Sequence, residues 1–574
     1  MAGQPIAFAA LAAEDANNYL QTTSEIFSGD LLESAPDPAL SSADELDSYL
    51  LNLFLPWKIG VEGLTVATAN MSSENIALIR ARYGNNTILL NTPKHVLIAA
   101  IEQLYRSELV IRSTSALKQV RPEFSAEKTF TVAQIVILCG IPVAFAGALI
   151  AIPAIANLAL AILCALGYLA NALFRILLVW VGAGEHSRAD PPILPAADDS
   201  GLPLYTILVP LYREGNVLPS LVSALRALAY PMDCLDIKLV LEADDAETIA
   251  AAEALPLESS FEIIRVPPGL PRTKPKACNY AMQFARGEYL VIFDAEDRPE
   301  PDQLLKAIAA FRAAPRNVAC LQARLNFFNA SENFLTRMFA LDYALWFDFL
   351  LPGLDMLGVP MPLGGTSNHF RTEALRAIHG WDPYNVTEDA DLGIRLAQMG
   401  YRVATLDSTT FEEATNELGN WQRQRSRWLK GYMQTWLVHM RHPRGLLKNA
   451  GIKGFLGFQL FIGGTILTTL LNPILWVLSL LPLLLGISGM TDIFGPLVPH
   501  TAALSLIVGN GLFTYLAMLG PYRRGWLSLS PYGLAAPFYW LLISVAAYRG
   551  FWQLITNPWH WEKTRHGTTK MAAQ

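Results

Sequence analysis

Charged residues are scarce in this chain of 574 residues. They make up 16% of the sequence, against 52% hydrophobic residues, whereas soluble domains carry about 25% charged residues. The deficit is concentrated in four runs that contain no Asp, Glu, Lys or Arg, at 129–174, 454–491, 493–522 and 525–548. One membrane span needs about 20 apolar residues. The first run is therefore long enough for two spans, and the composition predicts a membrane protein.

Other absences exclude further classes. The net charge is -7 and no basic tract is present, so nucleic acid is not an expected partner. The five cysteines form no CxxC pair, which argues against a disulfide framework or a zinc site. The first 57 residues contain no Lys or Arg, so the basic start of a signal peptide is missing. We expect the N-terminus to stay in the cytoplasm.

The N-terminal 112 residues divide into two parts. Residues 1–40 are acidic and rich in Ala and Ser, and we expect them to be disordered. Residues 41–112 alternate between strand and helix patterns, including a helix at 73–83 with Ser72 as its N-cap, which predicts a small α+β domain. The pattern LPWKIGVEGLTVATAN followed by TPKHVLIAAIEQLY resembles the N-terminal domain of type II secretion ATPases. The resemblance implies a docking domain for export or regulatory proteins. The RLGxxL-type repeat of cyclic di-GMP-binding members is absent.

Apolar helices flank a soluble segment. Residues 129–182 predict a transmembrane hairpin broken near Pro153, and the basic residues before it favour the cytoplasm. Residues 452–555 predict an interfacial or kinked helix and then spans near 473–489, 500–520 and 530–552. The arginines at 523–524 and the polar tail at 556–574 both favour the cytoplasm. Because one span cannot join two cytoplasmic ends, one of these elements should be re-entrant.

The segment 201–448 alternates strands with helices, which predicts an α/β domain with a mainly parallel sheet. The strand YLVIF ends on Asp294, followed by Glu296 and Asp297. Carboxylates at the carboxyl end of such a strand lie where open α/β folds bind ligands. They can hold Mg²⁺ or Mn²⁺ against a diphosphate. An acidic turn with only a capping role is the alternative.

Two more strand ends carry polar residues that could line the nucleotide edge. The strand at 205–210 is followed by a polar turn, and the strand at 237–241 by three acids. One of these acids could accept a hydrogen bond from a base or ribose, although surface acids after a strand are common. The predicted nucleotide-binding residues here are Pro210, Tyr212, Glu214, Glu242, Asp244 and Asp245.

Two later motifs add acid–base and electrostatic groups. Thr387-Glu388-Asp389 precedes a helix, and Asp389 could take the proton from an acceptor hydroxyl, while an N-cap box is the structural alternative. In the helical segment WQRQRSRW, Gln424, Arg427 and Trp428 share one face. Arg427 could neutralise a departing diphosphate and Trp428 could stack on a sugar, although a basic helix beside the membrane would have a similar composition.

In this order the motifs resemble the family 2 inverting glycosyltransferases of the cellulose and hyaluronan synthase type, over about 201–448. The resemblance implies a GT-A fold inserted between transmembrane helices. It assigns Lys274 of KPKACN to the donor diphosphate, Asp294 and Glu296 to the metal, and Asp389 to the catalytic base. By the same resemblance, Gln424, Arg427 and Trp428 form the catalytic QxxRW motif. The loop GGTSNHFR implies acceptor-binding residues at Gly364, Gly365 and Thr366, with Trp428 beside them.

The expected protein is an enzyme of a bacterial inner membrane with several spans and a cytoplasmic catalytic domain. It would transfer sugar from a nucleotide-sugar, with a UDP-sugar preferred, to a growing β-linked glycan. Departures from the family pattern are Glu296 in place of a second aspartate, Pro275-Lys276 after the lysine, and no recognisable FxVTxK gating loop or PilZ-like domain. Two other functions stay open: a non-processive transferase that acts on a lipid carrier, and a membrane receptor or export scaffold with a degenerate enzyme fold.

Overall fold

The computed structural model describes residues 35–184, 201–485, 500, 503–504, 506–564, 567 and 569. Disorder is expected for residues 1–40, of which 1–34 lie outside the described residues and Pro38–Leu40 form one 3-10 helical turn. The chain forms two compact units, residues 1–110 and 111–574, and each is described by itself.

The first unit is a small three-stranded sheet with helices. Strand β1 pairs antiparallel with β2, and β2 pairs parallel with β3. The Ser72 hydroxyl accepts a hydrogen bond from the N–H of Asn75, so Ser72 is the N-cap of α2, as the sequence predicts. The last helix runs to Val120 with a kink at Tyr105. The elements are α1 (Leu46–Asn52), β1 (Phe54–Gly60), β2 (Gly63–Thr68), α2 (Ser73–Tyr83), β3 (Ile88–Asn91) and α3 (Lys94–Val120).

The second unit begins with two apolar helices and continues into an eight-stranded sheet. Its elements up to the last strand are α4 (Val132–Ala151), α5 (Pro153–Ala183), β4 (Tyr205–Leu211), α6 (Leu218–Arg226), β5 (Leu235–Glu242), α7 (Ala246–Glu253), β6 (Phe261–Val266), α8 (Lys274–Met282), β7 (Tyr289–Ile292), β8 (Arg298–Pro299), α9 (Gln303–Ala313), β9 (Val318–Phe327), α10 (Phe334–Leu345), α11 (Leu351–Leu357), β10 (Asn368–Arg371), α12 (Thr372–Ala377), α13 (Glu388–Gln398) and β11 (Arg402–Glu412). A π-helical turn at Trp346–Leu350 joins α10 to α11.

The large sheet has the order β6-β5-β4-β7-β10-β9-β11-β8. Its buried strands are rich in Leu, Ile and Val and pack with α6 and α9 in one core. The first four strands are parallel, as expected, but β10 runs antiparallel between β7 and β9. Strands β9 and β11 are parallel to each other and run in the direction of β7, so only β10 and β8 are reversed and the prediction of a mainly parallel sheet is confirmed. Because β10 is reversed, its first residue, Asn368, pairs with Ile292 at the end of β7. The loop before β10 is thereby placed beside Asp294.

The remaining helices are α14 (Leu418–His439), α15 (Pro443–Phe458), α16 (Gly464–Leu485), α17 (Gly511–Leu519) and α18 (Ala536–Thr556). Among the described residues, four helical segments are long and apolar enough to cross a membrane: Val132–Ala151, Pro153–Ala183, Pro443–Val477 and Ser530–Thr556. Where the sequence predicts an interfacial or kinked helix at the start of 452–555, a π-helical turn at Gln459–Gly463 leads into α16. Just before this segment, α15 is non-helical at Gly451.

Helix α18 packs along the whole length of α14. Tyr539 near its start accepts a hydrogen bond from the Trp421 indole, and Leu554 near its end packs with Met433 and Leu437. In the middle, Gly550 faces the backbone of α14 so closely that a Cβ atom would lie 2.7 Å from the Ser426 carbonyl. Helix α14 also lines a cavity at the edge of the large sheet. Both ends of α18, which pack on α14, therefore lie beside the domain that contains this sheet.

Glycine permits the close contact between α5 and α11. A Cβ atom on Gly182 would overlap the backbone of Phe349 and Gly353, whereas one on Gly140 in α4 would meet nothing within 4 Å. In a helix, Gly→Ala by itself stabilises by about 1 kcal/mol. We expect Gly182→Ala to lower the thermal unfolding midpoint in detergent because overpacking costs about 1–3 kcal/mol. The matched Gly140→Ala protein should unfold no earlier than the wild type. Equal midpoints for the two variants would contradict this packing.

Candidate functional site

A cavity of about 560 Å³ opens at the carboxyl edge of β4, β5 and β7. It collects residues from every predicted motif, although these lie far apart in the sequence. The predicted residues on its walls are Pro210, Tyr212, Glu214, Glu242, Lys274, Asp294, Glu296, Gly364, Gly365, Thr366, Asp389, Gln424, Arg427 and Trp428. Asp244 and Asp245 are not on the walls formed by the described residues.

Lys274 connects the acidic strand end to the glycine loop. Its ammonium forms an ion pair with Asp294 and donates a hydrogen bond of 2.8 Å to the carbonyl of Gly365. A Cβ atom on Gly365 would lie 3.4 Å from Oδ2 of Asp389. Burial disfavours the charged form of Lys274, but the carboxylates of Asp294 and Glu388 outweigh it and raise the pKa of Lys274. The carboxylates of Asp294 and Asp389 are therefore neighbours around one ammonium group.

Of the two acids of the TED motif, Glu388 is buried and Asp389 is half-buried on the cavity wall. Burial and the neighbouring Asp389 raise the pKa of Glu388 to about 7. Burial also raises the pKa of Asp389, while the N–H of Ala390 and the charges of Lys274 and Arg427 act in the opposite direction. Thr387 is the N-cap residue of α13, yet its hydroxyl makes no capping hydrogen bond among the described residues. Helix capping alone does not account for this motif.

Helix α14 presents the three QxxRW residues to the cavity. Gln424 accepts a hydrogen bond of 2.9 Å from the Thr415 hydroxyl, which fixes its amide. Trp428 stacks on Tyr343 with ring centroids 6.2 Å apart. Arg427 lies within electrostatic range of Glu388, Asp389 and Asp294. The guanidinium is placed to compensate negative charge that develops near these acids.

The acidic end of β7 fits a divalent cation. Asp297 accepts hydrogen bonds from the N–H of Asp294 and the Thr366 hydroxyl through Oδ2, and its buried Oδ1 has no hydrogen-bond partner among the described residues. Among those residues no three ligand side chains already converge on one point. Mg²⁺ is usually held by one or two carboxylates plus substrate phosphates, not by an all-protein cage. Asp294 and Glu296 supply hard oxygen donors of that type.

The three acids predicted after β5 have different roles in the structure. Glu242 is buried on the cavity wall and pairs with Lys276 at 3.5 Å. Asp244 forms an ion pair with Arg272 at the surface. Asp245 accepts the N–H groups of Arg213 and Thr248, so it caps α7 and holds the turn after β4. The structure brings Glu242, but not Asp244 or Asp245, to the cavity.

Glu412 is a wall residue that the sequence reasoning missed. It ends β11 at the same sheet edge as Asp294. Burial and the negative charges of Asp297, Glu296 and Asp294 raise the pKa of Glu412 well above its usual value. The rule that found Asp294, an acid at the end of a buried strand, would also have found Glu412.

The C-terminal tail also lies on the cavity wall, through Trp561, Lys563 and Thr564. Lys563 pairs with Glu214 at 3.1 Å and donates to the carbonyl of Tyr212. The guanidinium of Arg427 lies 5.0 Å from the centre of the Trp561 ring. The sequence signal for these wall residues is the aromatic and basic pattern WEKTRHG, which lies in the segment predicted only as a polar tail. No FxVTxK gating loop is recognisable in the sequence, yet this tail segment lies along the nucleotide edge of the cavity.

Comparisons with known proteins identify the domain that carries this cavity. Residues 289–551 match the family model described as Glycosyl transferase family group 2. This chain contains a glycosyltransferase family 2 domain. The matched residues run from β7 into α18. They include the predicted metal ligands Asp294 and Glu296, the TED motif and QxxRW. Strands β4–β6 precede the matched residues.

Curated relatives are similar over part of the chain. A β-monoglucosyldiacylglycerol synthase of Synechocystis sp. is 28% identical over 301 residues, which are 49% of this chain and 62% of the relative. A probable glucomannan 4-β-mannosyltransferase 7 of Oryza sativa is 27% identical over 258 residues, 42% of this chain and 43% of the relative. The chain thus spans less than two thirds of the length of these relatives.

Among solved structures, the mannosyltransferase PcManGT from Pyrobaculum calidifontis, in complex with GDP-Man and Mn²⁺, is similar with a TM-score of 0.42 and 20% identity. The similarity covers 69% of this chain and 99% of the mannosyltransferase.

Glu413 anchors the tail beyond the family 2 domain. Its carboxylate accepts the N–H groups of Gly567 at 2.5 Å and Thr569 at 2.7 Å. We expect Glu413→Ala to speed tryptic cleavage after Lys563 about tenfold in the full chain, because losing about 1.4 kcal/mol of tail binding shifts the opening equilibrium by that factor. Glu373→Ala, at an exposed position, is the control. Unchanged cleavage of Glu413→Ala would mean that these contacts do not hold the tail.

Proposed function

We propose that the protein is a membrane-embedded inverting glycosyltransferase with a GT-A catalytic domain, which transfers sugar from a nucleotide-sugar to a growing β-linked glycan. The observation that carries the proposal is the convergence of Asp294, Lys274, Asp389 and Arg427 on one cavity. Such a set of acids and cations suits transfer from a diphosphate leaving group. A receptor or export scaffold with a degenerate site would have no need for this convergence.

The donor nucleotide would lie along the ends of β4 and β5. Tyr212 offers a ring there, with Arg272 and Lys563 at 5.7 Å and 5.4 Å from its centre. Glu242 supplies a buried carboxylate that can accept a hydrogen bond from the base or ribose. The neighbouring cations suit the negative charge of a diphosphate. A UDP-sugar remains the preferred donor.

The chemistry follows from the groups around Lys274. Asp389 would deprotonate the acceptor hydroxyl, which attacks the anomeric carbon from the side opposite the diphosphate and inverts its configuration. Lys274 and Arg427 would stabilise the nucleoside diphosphate that leaves. Mg²⁺ or Mn²⁺, held by Asp294 and Glu296, would neutralise diphosphate charge in the same place.

The acceptor would approach from the membrane side. The cavity continues from Asp389 between α5, α16 and α17, where Thr465, Thr468, Asn472 and Asn510 line it. Hydroxyl and amide groups suit a sugar chain. This continuation supports a growing glycan as the acceptor and its passage outward.

The arrangement of the helices supports a catalytic domain on the cytoplasmic side of a bacterial inner membrane. Arg524 binds Asp348 through two hydrogen bonds of 2.6 and 2.7 Å, next to the interface between α5 and α11. With both ends of α18 on the side of the catalytic domain, α18 would be the element that does not cross. This removes the conflict between Arg523–Arg524 and a cytoplasmic tail.

A lipid carrier as the acceptor of a single sugar is the second candidate. The open membrane side of the cavity would admit a lipid, and the relative from Synechocystis is named for a diacylglycerol product. Product length on a gel separates the two candidates, because a polymerising enzyme gives a ladder or a long product.

Residues 41–112 are proposed as a docking domain for export or regulatory proteins.

The proposed base gives the direct test. We expect Asp389→Asn to lower sugar transfer by about 10²–10⁴-fold, the usual contribution of general base catalysis. The measurement is nucleoside diphosphate release by purified full-length protein in a screen of UDP- and GDP-sugars. Asp407→Asn, at an exposed side chain on β11, is the control with the same chemical change. Full turnover by Asp389→Asn at normal expression would reject the mechanism.

The pH profile tests the shared environment of Glu388 and Asp389. Transfer requires an ionised base, and burial raises the pKa values of both acids, Glu388 to about 7. Activity should therefore be lost on acidification above the usual aspartate value of about 3.9. Because Glu388 has the higher pKa of the pair, it is already neutral where Asp389 titrates, so Glu388→Gln should keep the raised acid limb in kcat/KM. An acid limb that falls to about pH 3.9 in Glu388→Gln would argue against burial as the cause of the raised Asp389 pKa.

A further inference from the structure

One arginine stands apart from the chemistry just described, in the wall of the same cavity. Arg175 lies on α5, directly after the 46-residue run that carries no charge. Its Nε donates to the Asn171 amide oxygen at 3.2 Å, and its Nη2 donates to the Thr465 hydroxyl at 2.9 Å. Its guanidinium also lies 5.8 Å from the centre of the Phe461 ring and 5.7 Å from that of Phe513. Every one of these contacts is electrically neutral.

No carboxylate of the described residues forms an ion pair with Arg175. The carboxylate of Asp342, which also lines the cavity, is engaged by Arg425 at 2.8 Å. Ionisable residues within transmembrane segments are costly and usually face a partner or a functional cavity. A guanidinium enclosed by apolar helices and turned to a cavity therefore points to an anionic ligand.

The position of Arg175 along α5 indicates the source of that anion. From Pro153 to residue 174 the helix is about 33 Å long at 1.5 Å per residue, which matches a hydrocarbon layer of about 30 Å. Arg175 thus lies at the level of the lipid headgroups, at the end of α5 where Gly182 contacts α11. Lipid phosphates are found at this level. An acidic sugar unit in transit would not be confined to it.

The subsite is continuous with the proposed catalytic centre. Arg175 and Asp389 line one cavity, and Tyr432 lies within electrostatic range of both. A molecule anchored at Arg175 can therefore extend a hydroxyl group toward Asp389.

We propose that Arg175, with Asn171 and Thr465, forms a phosphate-binding subsite for the acceptor, and that the acceptor is a lipid carrying both a phosphate and a free hydroxyl group. This rests on the second candidate of the proposed function, transfer to a lipid, and names the class of that lipid. The guanidinium fork binds two phosphate oxygens, and the amide and hydroxyl groups hold it in place. Phe461 and Phe513 exclude water from the contact.

The test measures lipid binding without donor. Full-length protein in phosphatidylcholine nanodiscs is titrated with phosphatidylglycerol, or with diacylglycerol of the same chains, and bound lipid is counted by native mass spectrometry. We expect Arg175→Gln to raise the half-saturating fraction of phosphatidylglycerol at least tenfold, with Arg175→Lys between it and the wild type. Diacylglycerol binding should be equal in all three proteins. Arg337→Gln, whose arginine bonds to Tyr532 away from the cavity, should match the wild type.

Other outcomes overturn the proposal. Equal phosphatidylglycerol binding by wild type and Arg175→Gln removes the subsite, and an equal loss of diacylglycerol binding in Arg175→Gln assigns Arg175 a purely structural role. If glycerol phosphate competes as strongly as phosphatidylglycerol, a soluble phosphate is the ligand and the lipid assignment fails. No sugar is transferred in this assay, so its result does not depend on general base catalysis. A failed transfer reaction is thereby separated from a failed subsite.

Discussion

The ion pair between Lys274 and Asp294, with the hydrogen bond from Lys274 to the Gly365 carbonyl, is the contact on which the site depends. Asp294, Asp297, Glu412 and the two TED acids lie close together, and all five are buried or half-buried. Like charges in such a place repel strongly and favour protonation. One ammonium group among them lets part of the set stay ionised. It also ties β7 to the loop before β10, which in turn approaches Asp389.

The parts of the site that follow from local rules were predictable from sequence. Buried strands of Leu, Ile and Val ending in polar residues placed Pro210, Glu242 and Asp294 at one edge, because parallel strands share the direction of their carboxyl ends. The one-face spacing of Gln424, Arg427 and Trp428 follows from helical geometry alone. Composition likewise located the apolar helices at 129–182, which the structure places at Val132–Ala151 and Pro153–Ala183.

The parts that depend on long-range packing were not predictable. Whether an acid after a strand faces a ligand or a backbone N–H depends on the turn that follows. Asp245 binds N–H groups in the turn after β4 and at the start of α7, whereas Glu242 faces the cavity. The reversal of β10 depends on its neighbours and not on its four residues. The same holds for α18, whose apolar sequence is that of a span but whose Gly550 permits close packing on α14.

Helix α14 explains why the site lies so near the apolar helices. One of its faces carries Gln424, Arg427 and Trp428 to the cavity, and another packs Leu429, Met433 and Leu437 against α18 and α16. A rigid helix that belongs both to the cavity wall and to the apolar helix bundle fixes the distance between them. The cavity therefore need not form when an acceptor arrives, since its polar end and its apolar end are walls of one packed body. The C-terminal tail, which continues from α18 across the nucleotide edge, closes that body on the donor side.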